Sequence, residues 1–478
     1  MKPQLSFLSQ KEQELIHKAA LWVLSNVGFQ MPSREALDIM RNAGAKIEGE
    51  NIVKIPAELV GYAVEKAPKS ERFVLYGREE KYDIRFSENI PALSNMIGAT
   101  HVVDLETRER RPCTVKDVAD MVLIMDALES FNINGPLATP QDVPLDISDW
   151  YALAATLKNT SKPIFAPGPG AGYVRDAVRM GSLAVGSEEK FRERPFICIT
   201  TLVKCPFELS FTSIEGLMEA NRQGIPSLIS SGPILGTTSP VTLAGTLIQV
   251  HAEIMSCLVL SQLVRAGAPV IYQSFARGMD MRSGNVTLSS PEWAILKGAA
   301  AQMGRYLSLP VRMPAFLRDS KVLDVQAGFE TASVGLISAL TSDVVVGPLL
   351  DMDCLMDFAD LVFTDEAMAA LKRIVKGFSI NENTKALNII AEVGPGGDFL
   401  STDHTLKNFR KEIWMPRLIE RRDWSSWEKD GRKDMEKRAI EKTKEILASH
   451  QPARLTPNIE AEIDRIARDA RLTIPDKA

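Results

Sequence analysis

From residue 115 onward, hydrophobic and polar positions follow a repeating unit. Each unit has a short apolar run, a turn rich in Gly, Pro or Ser, and a longer segment with apolar residues at helical spacing. Seven such units in series predict an α/β protein built on a (β/α)8 TIM-type barrel rather than an open doubly wound sheet. The predicted strands are residues 133–138, 163–167, 196–203, 226–230, 269–274, 310–316 and 343–347.

An eighth strand is needed to close the barrel, and two segments compete for it. One is NIIAEV, residues 388–393, which follows the helix predicted to begin near Asp365. The other is the region of SNMIG, residues 94–98, which precedes the repeating units. The pattern alone does not choose between them.

The two ends of the chain lack the barrel rhythm. In residues 1–114, Ser9 and Glu12 form a capping box at the start of one helix, Ser33 caps a second, and three short β-rich runs follow. We therefore expect an N-terminal helical and β cap over residues 1–114, the barrel over 115–400, and a charged C-terminal strap with helices over 401–478.

Composition narrows the class of protein. Of 478 residues, 45% are hydrophobic and 24% charged, which is typical of a globular protein, and the net charge of −5 gives no attraction for nucleic acid. Five scattered cysteines without a CxxC pair indicate a reducing compartment, so we expect a cytoplasmic location. The apolar tract 241–264 is interrupted by polar residues, and we expect no membrane span. His and Cys spacing predicts no metal site.

A polar run follows the sixth predicted strand, in FLRDSKVLDVQAGFE, residues 316–330. Side chains at the carboxyl ends of barrel strands face the active site, so Asp319 and Glu330 are placed where barrel chemistry occurs. The alternative is a solvated loop in which Asp324 caps the next helix.

The same run carries a family resemblance. Asp319, Ser320, Lys321, Asp324, Gln326, Ala327, Gly328 and Glu330 form D-S-K-x-x-D-x-Q-A-G-x-E, which resembles the signature of the trimethylamine:corrinoid methyltransferase superfamily. Segments 102–121, 162–170, 267–274 and 414–431 resemble it too, so the similarity covers nearly the whole chain. The resemblance implies a barrel enzyme that transfers a methyl group to the cobalt of a separate corrinoid protein.

Founding members of that superfamily carry pyrrolysine just before the signature, and here Leu317 holds that position. The resemblance therefore points to the branch without pyrrolysine, whose members demethylate quaternary amines such as glycine betaine, proline betaine and carnitine. The chain shows no DxHxxG-type cobalamin motif, so we expect it to hold no permanent cofactor and the cobalamin to be supplied by the cognate corrinoid protein.

A quaternary ammonium leaves as a neutral amine, so the enzyme must chiefly position and stabilise it. Arg312, inside an apolar strand, is the expected anchor for a substrate carboxylate, with a structural salt bridge as the alternative. The other candidates are aromatic residues for cation-π walls and polar residues at strand ends, each with core packing or turn formation as its alternative. They are Phe316, Tyr272, Phe207, Gln273, Asn95 and Asp351, with His101, Arg277 and Asp353 as further candidates.

An aromatic and basic cluster lies in the C-terminal strap and comprises Trp414, Arg421, Trp424 and Trp427. Trp and Arg are favoured at interfaces, so these residues are predicted to contact the corrinoid protein or a second subunit of a homo-oligomer, unless they pack on their own barrel. Two other functions stay open: a betaine-binding barrel without catalysis, and a methyltransferase acting on a tertiary amine or a sulfonium.

Overall fold

A computed structural model describes residues 3, 5–86 and 90–470. The helices are α1 (Gln10–Asn26), α2 (Arg34–Asn42), α3 (Ala57–Lys66), α4 (Val115–Ala127), α5 (Ser148–Asn159), α6 (Ala171–Val185), α7 (Glu188–Glu193), α8 (Phe211–Gln223), α9 (Leu243–Val264), α10 (Pro291–Tyr306), α11 (Val325–Thr341), α12 (Phe358–Lys376), α13 (Glu382–Lys385), α14 (Leu387–Val393), α15 (Asp403–Glu412), α16 (Trp424–Lys429), α17 (Met435–Ser449) and α18 (Pro457–Asp469).

The strands are β1 (Phe29–Gln30), β2 (Lys46–Glu48), β3 (Ile52–Lys54), β4 (Val74–Leu75), β5 (Ile84–Arg85), β6 (Ala92–Ser94), β7 (His101–Val103), β8 (Arg110–Pro112), β9 (Ile164–Ala166), β10 (Ile197–Leu202), β11 (Ser227–Ser231), β12 (Val270–Ser274), β13 (Gly278–Met279), β14 (Val286–Thr287), β15 (Val311–Pro314), β16 (Val344–Val346) and β17 (Leu355–Asp357).

Seven of these strands form one parallel sheet in the order β6-β16-β15-β12-β11-β10-β9. The two edges meet through a short segment: Phe131 bridges Leu93 of β6, and Asn134 bridges Ile164 of β9, both in parallel. The predicted (β/α)8 barrel is therefore confirmed, with seven strands and one bridging segment in place of eight regular strands.

The eighth strand comes from the region of SNMIG. β6 pairs with β16 in parallel, with Ser94 opposite Val346, although it precedes the segment 115–400 that was expected to hold the barrel. The alternative, NIIAEV, is wrong, because those residues lie in the helix α14. The sheet edge next to β16 is filled by β6 instead.

The N-terminal region closes one end of the barrel. The capping box of Ser9 and Glu12 and the Ser33 cap form as predicted and start α1 and α2. Beyond these helices, Phe73, Leu75 and Phe86 pack against the lowest inward side chains of the strands, including Phe165 and Ile271. The opposite end, where the strands have their carboxyl termini, is the end at which barrels of this type carry their sites and is called the mouth below.

One helix, α9, is long and apolar enough to cross a membrane, and 78% of its apolar window is buried within the protein. Its polar residues have partners there. Glu253 accepts hydrogen bonds from the Phe207 amide at 2.9 Å and from Ser231 Oγ at 2.5 Å. These contacts tie α9 to the loop after β10, so α9 is a core helix of the barrel wall.

Candidate functional site

A polar layer crosses the barrel directly above the apolar floor. Because inward-facing side chains alternate along a strand, the inward residues two positions beyond the floor include the polar residues Ser94, Ser230 and Gln273, with Arg312 opposite Gln273 in register. Gln273 Nε2 donates to Ser230 Oγ at 2.9 Å, and Gln273 Oε1 accepts from Arg312. The layer is thus a continuous hydrogen-bonded chain.

Arg312 is its centre and is only 3% exposed. Nε donates to Ser94 Oγ at 3.1 Å, one terminal nitrogen to the Asn95 carbonyl at 2.6 Å, and the other to Gln273. The guanidinium also lies over the Phe165 ring at 4.7 Å. Every polar acceptor around it is neutral, and no ion pair to it occurs among the described residues.

Burial without an anionic partner has an electrostatic consequence. It lowers the pKa of Arg312 to about 9, because the charged form is desolvated. The group is still a cation near neutral pH. A buried cation surrounded by neutral acceptors is costly unless an anion completes it, and Arg matches a carboxylate with two parallel hydrogen bonds.

Asn95 presents an unsatisfied oxygen beside this cation. Its Nδ2 donates to the carbonyls of Met96 and Pro136, both at 3.2 Å, whereas buried Oδ1 has no hydrogen-bond donor within the part of the chain that is described. Gly135 makes room for it, since a Cβ there would lie 2.7 Å from Asn95 Nδ2. An amide oxygen without a donor is a favourable partner for a positively charged ligand group.

The rim above carries a pair of opposite charges from two different loops. Arg277, after β12, places Nη2 3.5 Å from Oδ2 of Asp353, in the loop after β16. The Arg277 guanidinium also stacks on Phe275 at 4.4 Å. Burial raises the pKa of Asp353 to about 6, and Arg277 opposes that rise. Gly98 lies against this carboxylate, since a Cβ there would be 2.7 Å from Asp353 Oδ1.

The structure brings the candidates Arg312, Gln273 and Asn95 into one layer with Ser94 and Ser230, and their role in substrate binding stays a prediction. Sequence reasoning missed the two serines, although a hydroxyl two positions after an inward apolar residue is the signal for such a layer. Among the predicted carboxylates, Asp353 and not Asp351 pairs with the rim arginine. Asp351 turns outward to Lys321 at 3.4 Å.

Two aromatic predictions need correction. Tyr272 precedes the inward Gln273, so it faces away from the barrel interior, and its hydroxyl lies 3.2 Å from His251 Nδ1 of α9. Phe316 is buried against Gly335 of α11 and Gly347, outside the barrel. Phe207 is at the rim but packs half-buried against the cluster around α9. His101 lies in β7 beside Thr100 and Arg110, away from the Arg312 layer.

The signature residues build a loop. Asp319 accepts hydrogen bonds from Thr287 and from the Leu288 amide at 2.8 Å, which fastens the β13–β14 hairpin. Glu330 Oε2 accepts from the Asp319 amide at 3.0 Å, and Asp324 caps α11. Leu317 is 1% exposed within the apolar cluster that also holds Phe316. Asp319 and Glu330 therefore position the rim, and their carboxylates are engaged by protein donors.

The strap cluster lies elsewhere. Arg421 stacks on Trp414 at 5.5 Å, and the rings of Trp424 and Trp427 meet at 4.9 Å. The strap is attached to α12 through Arg417 and Leu418, whose amides donate to Glu366. Among the described residues, no group of three His, Cys, Asp or Glu side chains could hold a metal ion.

The closed floor, the buried cation and the charged rim at the carboxyl ends of the strands belong to a (β/α)8 barrel, and this end of such barrels is where a small-molecule site is expected. The chain belongs to the trimethylamine methyltransferase family: the family described as Trimethylamine methyltransferase (MTTB) matches residues 1–471. The resemblance noted in the sequence is thereby confirmed.

Individual relatives cover nearly the full length. A trimethylamine methyltransferase MttB of Desulfitobacterium hafniense (strain DSM 10664 / DCB-2) is 31% identical over 97% of this chain and 94% of its own. A glycine betaine methyltransferase of Desulfitobacterium hafniense (strain Y51) is 28% identical over 96% of each chain. The solved hydroxylamine complex of MtmB shares the fold, with a TM-score of 0.52 at 10% identity over 98% of this chain and 88% of that one.

Proposed function

We propose that this protein transfers an N-methyl group from a quaternary amine that also bears a carboxylate, of the betaine type, to the Co(I) centre of a corrinoid carried by a separate cytoplasmic protein. The observation that carries the proposal is Arg312, a buried cation at the bottom of the mouth whose polar acceptors are all neutral. A substrate carboxylate would supply the missing anion.

The rim suits the other end of such a substrate. Asp353 at the rim offers a carboxylate to a quaternary ammonium, and Asn95 Oδ1, in the layer below, offers an amide oxygen. Arg277 partly neutralises Asp353, so a quaternary ammonium would compete with Arg277 for that carboxylate. These contacts orient the substrate and require no proton transfer from the protein.

The bond changes are simple. The electrons of the broken C–N bond stay on nitrogen as the lone pair of the neutral amine product. The Co(I) centre is the methyl acceptor and supplies the electron pair for the new bond. Because the leaving group is neutral, neither a general acid nor a covalent adduct is needed, which agrees with leucine at position 317.

The mouth also suits a second protein. Exposed apolar side chains follow the carboxyl ends of several strands, where a docking corrinoid protein would cover them. They are Leu202, Val241, Met281, Val322, Val325 and Phe329. A corrinoid protein seated there would face the open end of the barrel above Arg312.

The test is anaerobic methyl transfer to free Co(I) cobalamin, followed by its absorbance change. Glycine betaine should be demethylated, choline, which lacks the carboxylate, should react far more slowly, and trimethylamine should give no signal. Binding of betaine without transfer would favour the non-catalytic barrel. Transfer from trimethylamine or a sulfonium alone would replace the proposed substrate class.

A further inference from the structure

Residues 374–424, here called the outer segment, expose an unusual share of apolar surface. They make up about a tenth of the chain but carry twelve of the twenty-eight large apolar side chains that are exposed among the described residues. Their exposed fractions run from 41% to 81%. They are Ile374, Phe378, Ile380, Leu387, Ile390, Phe399, Leu400, Leu406, Ile413, Met415, Ile419 and Trp424.

The outer segment does not bury these side chains on itself. From residue 376 to residue 417, none of the described residues is buried. The helices α13, α14 and α15 contain no buried residue, and in α14 Leu387 and Ile390 lie one turn apart on an exposed face. Helices of this length gain little stability without a packed face, so another surface must cover them.

The outer segment lies at the end of the barrel opposite the mouth. Helix α12 runs antiparallel to the strands, and near its C-terminus Lys372 Nζ donates to the Ser130 carbonyl at 3.1 Å, just before the barrel segment at Phe131. The next residue, Arg373, donates to the Glu412 carbonyl at 2.8 Å. Phe73 and its neighbours seal this end. A corrinoid bound here could not reach Arg312.

The charges of the outer segment favour the same segment of a second copy as its partner. The outer segment carries eight Lys and Arg residues and seven Asp and Glu residues, which are interspersed along it. Such a nearly neutral, mixed surface has little net repulsion against a copy of itself, and an isologous contact allows basic residues of one copy to face acidic residues of the other.

The available area is sufficient. At roughly 100 Å² for each partly exposed side chain, two thirds of the twelve would supply the approximately 800 Å² that each partner contributes to a stable interface. Interfaces between identical subunits are also the more apolar class, as this segment is.

We propose that the outer segment is the interface with a second copy of this chain, and that Trp414, Arg421 and Trp424 within it, together with Trp427 just after it, belong to that interface. The two barrels then present their mouths outward on opposite sides, each free to receive a corrinoid protein. This assignment does not depend on the identity of the amine.

Sedimentation velocity of the full chain over a wide range of micromolar concentrations tests the proposal. We expect a species of twice 52.7 kDa. The double variant Leu387→Asp/Ile390→Asp should weaken association by at least about tenfold, since buried apolar contacts dominate such interfaces. A control with Val325→Asp and Phe329→Asp, both exposed near the mouth, should keep the dimer intact.

Hydrogen exchange gives a readout that needs no variant. Amides of α14 and α15 should exchange more slowly as the protein concentration rises, while those of the β13–β14 hairpin should not change. A monomer at every concentration, or a dimer that the α14 variant leaves unchanged, would overturn the proposal. So would an α14 variant that keeps the dimer but loses methyl transfer to the corrinoid protein.

Discussion

Two arginines on the sixth barrel unit, Arg312 and Arg318, are both buried, but their surroundings differ. Arg318 is fully buried and donates to Asp360 at 2.5 Å, to Thr331 at 2.7 Å and to Thr364 at 3.0 Å. Arg312 meets neutral groups alone. Arg318 in the barrel wall has an anionic partner, whereas Arg312 in the polar layer above the floor has none. The first arrangement supports the fold, and the second is suited to a ligand.

We expect the largest effect, a loss of stability, from breaking the Arg318–Asp360 ion pair. Arg318→Met leaves the Asp360 carboxylate buried without its cation and should lower the free energy of unfolding by about 3–5 kcal/mol. Burial already raises the pKa of Asp360 to about 6 with Arg318 present. Denaturant unfolding measures the loss. The double variant Arg318→Met/Asp360→Leu should recover much of the lost stability. If Arg318→Met alone were as stable as the wild type, Arg318 would not differ from Arg312 in supporting the fold.

Arg312→Met should give the opposite pattern. No carboxylate is left behind, so stability should change by less than about 1.5 kcal/mol, whereas betaine affinity should fall about 100-fold, near 3 kcal/mol. Calorimetric titration with glycine betaine measures this. Arg312→Lys keeps the charge but loses the planar guanidinium, so its betaine affinity should lie between those of the wild type and Arg312→Met. Unchanged betaine binding by Arg312→Met would refute the carboxylate anchor.

The sequence predicts the positions of these site residues where they lie on regular strands. Arg312 and Gln273 could be placed because the barrel repeat fixes which strand ends converge, whereas Asn95 follows β6, which lies before the repeat. Strand alternation also shows that Tyr272 and Gln273 cannot both face inward, so the error at Tyr272 was avoidable. The apolar pattern of NIIAEV fits a strand and a short helix equally. The strand that completes the barrel is β6, which pairs with β16, and no local sequence pattern reveals that pairing.

The conformation of loops could not be predicted from the sequence. Asp351, Met352 and Asp353 all have positive φ, from 49° to 69°, which is uncommon for residues other than glycine. That backbone turns Asp351 toward Lys321 and Asp353 toward Arg277, and neither direction can be read from DMD in the sequence. The same holds for Arg318, whose ion pair with Asp360 joins residues 42 positions apart.

Asp353→Asn tests the role of the rim carboxylate, and we expect a smaller effect on activity than the effect of Arg312→Met on affinity. Loss of one partly exposed carboxylate should slow betaine demethylation about tenfold at neutral pH, near 1.4 kcal/mol. The pKa of Asp353 is raised to about 6, so the wild-type carboxylate is ionised above that pH and protonated below it. The wild-type rate should therefore fall as pH drops through about 6, and Asp353→Asn should abolish that fall. A variant that keeps the same pH profile would exclude Asp353 as its source.

The smallest effect is expected from the neighbour of that carboxylate. A methyl group at Gly98 would lie 2.7 Å from Asp353 Oδ1, and a side-chain tip can move by a few tenths of an ångström, so Gly98→Ala should displace the carboxylate without disturbing the barrel. We expect roughly a threefold rise in KM for betaine, about 0.6 kcal/mol, with thermal stability unchanged. Gly61→Ala is the matched control, since nothing lies within 4 Å of a Cβ there. Equal kinetics for the two variants would mean that the rim tolerates a shift of Asp353, and that the buried Arg312 layer alone sets affinity.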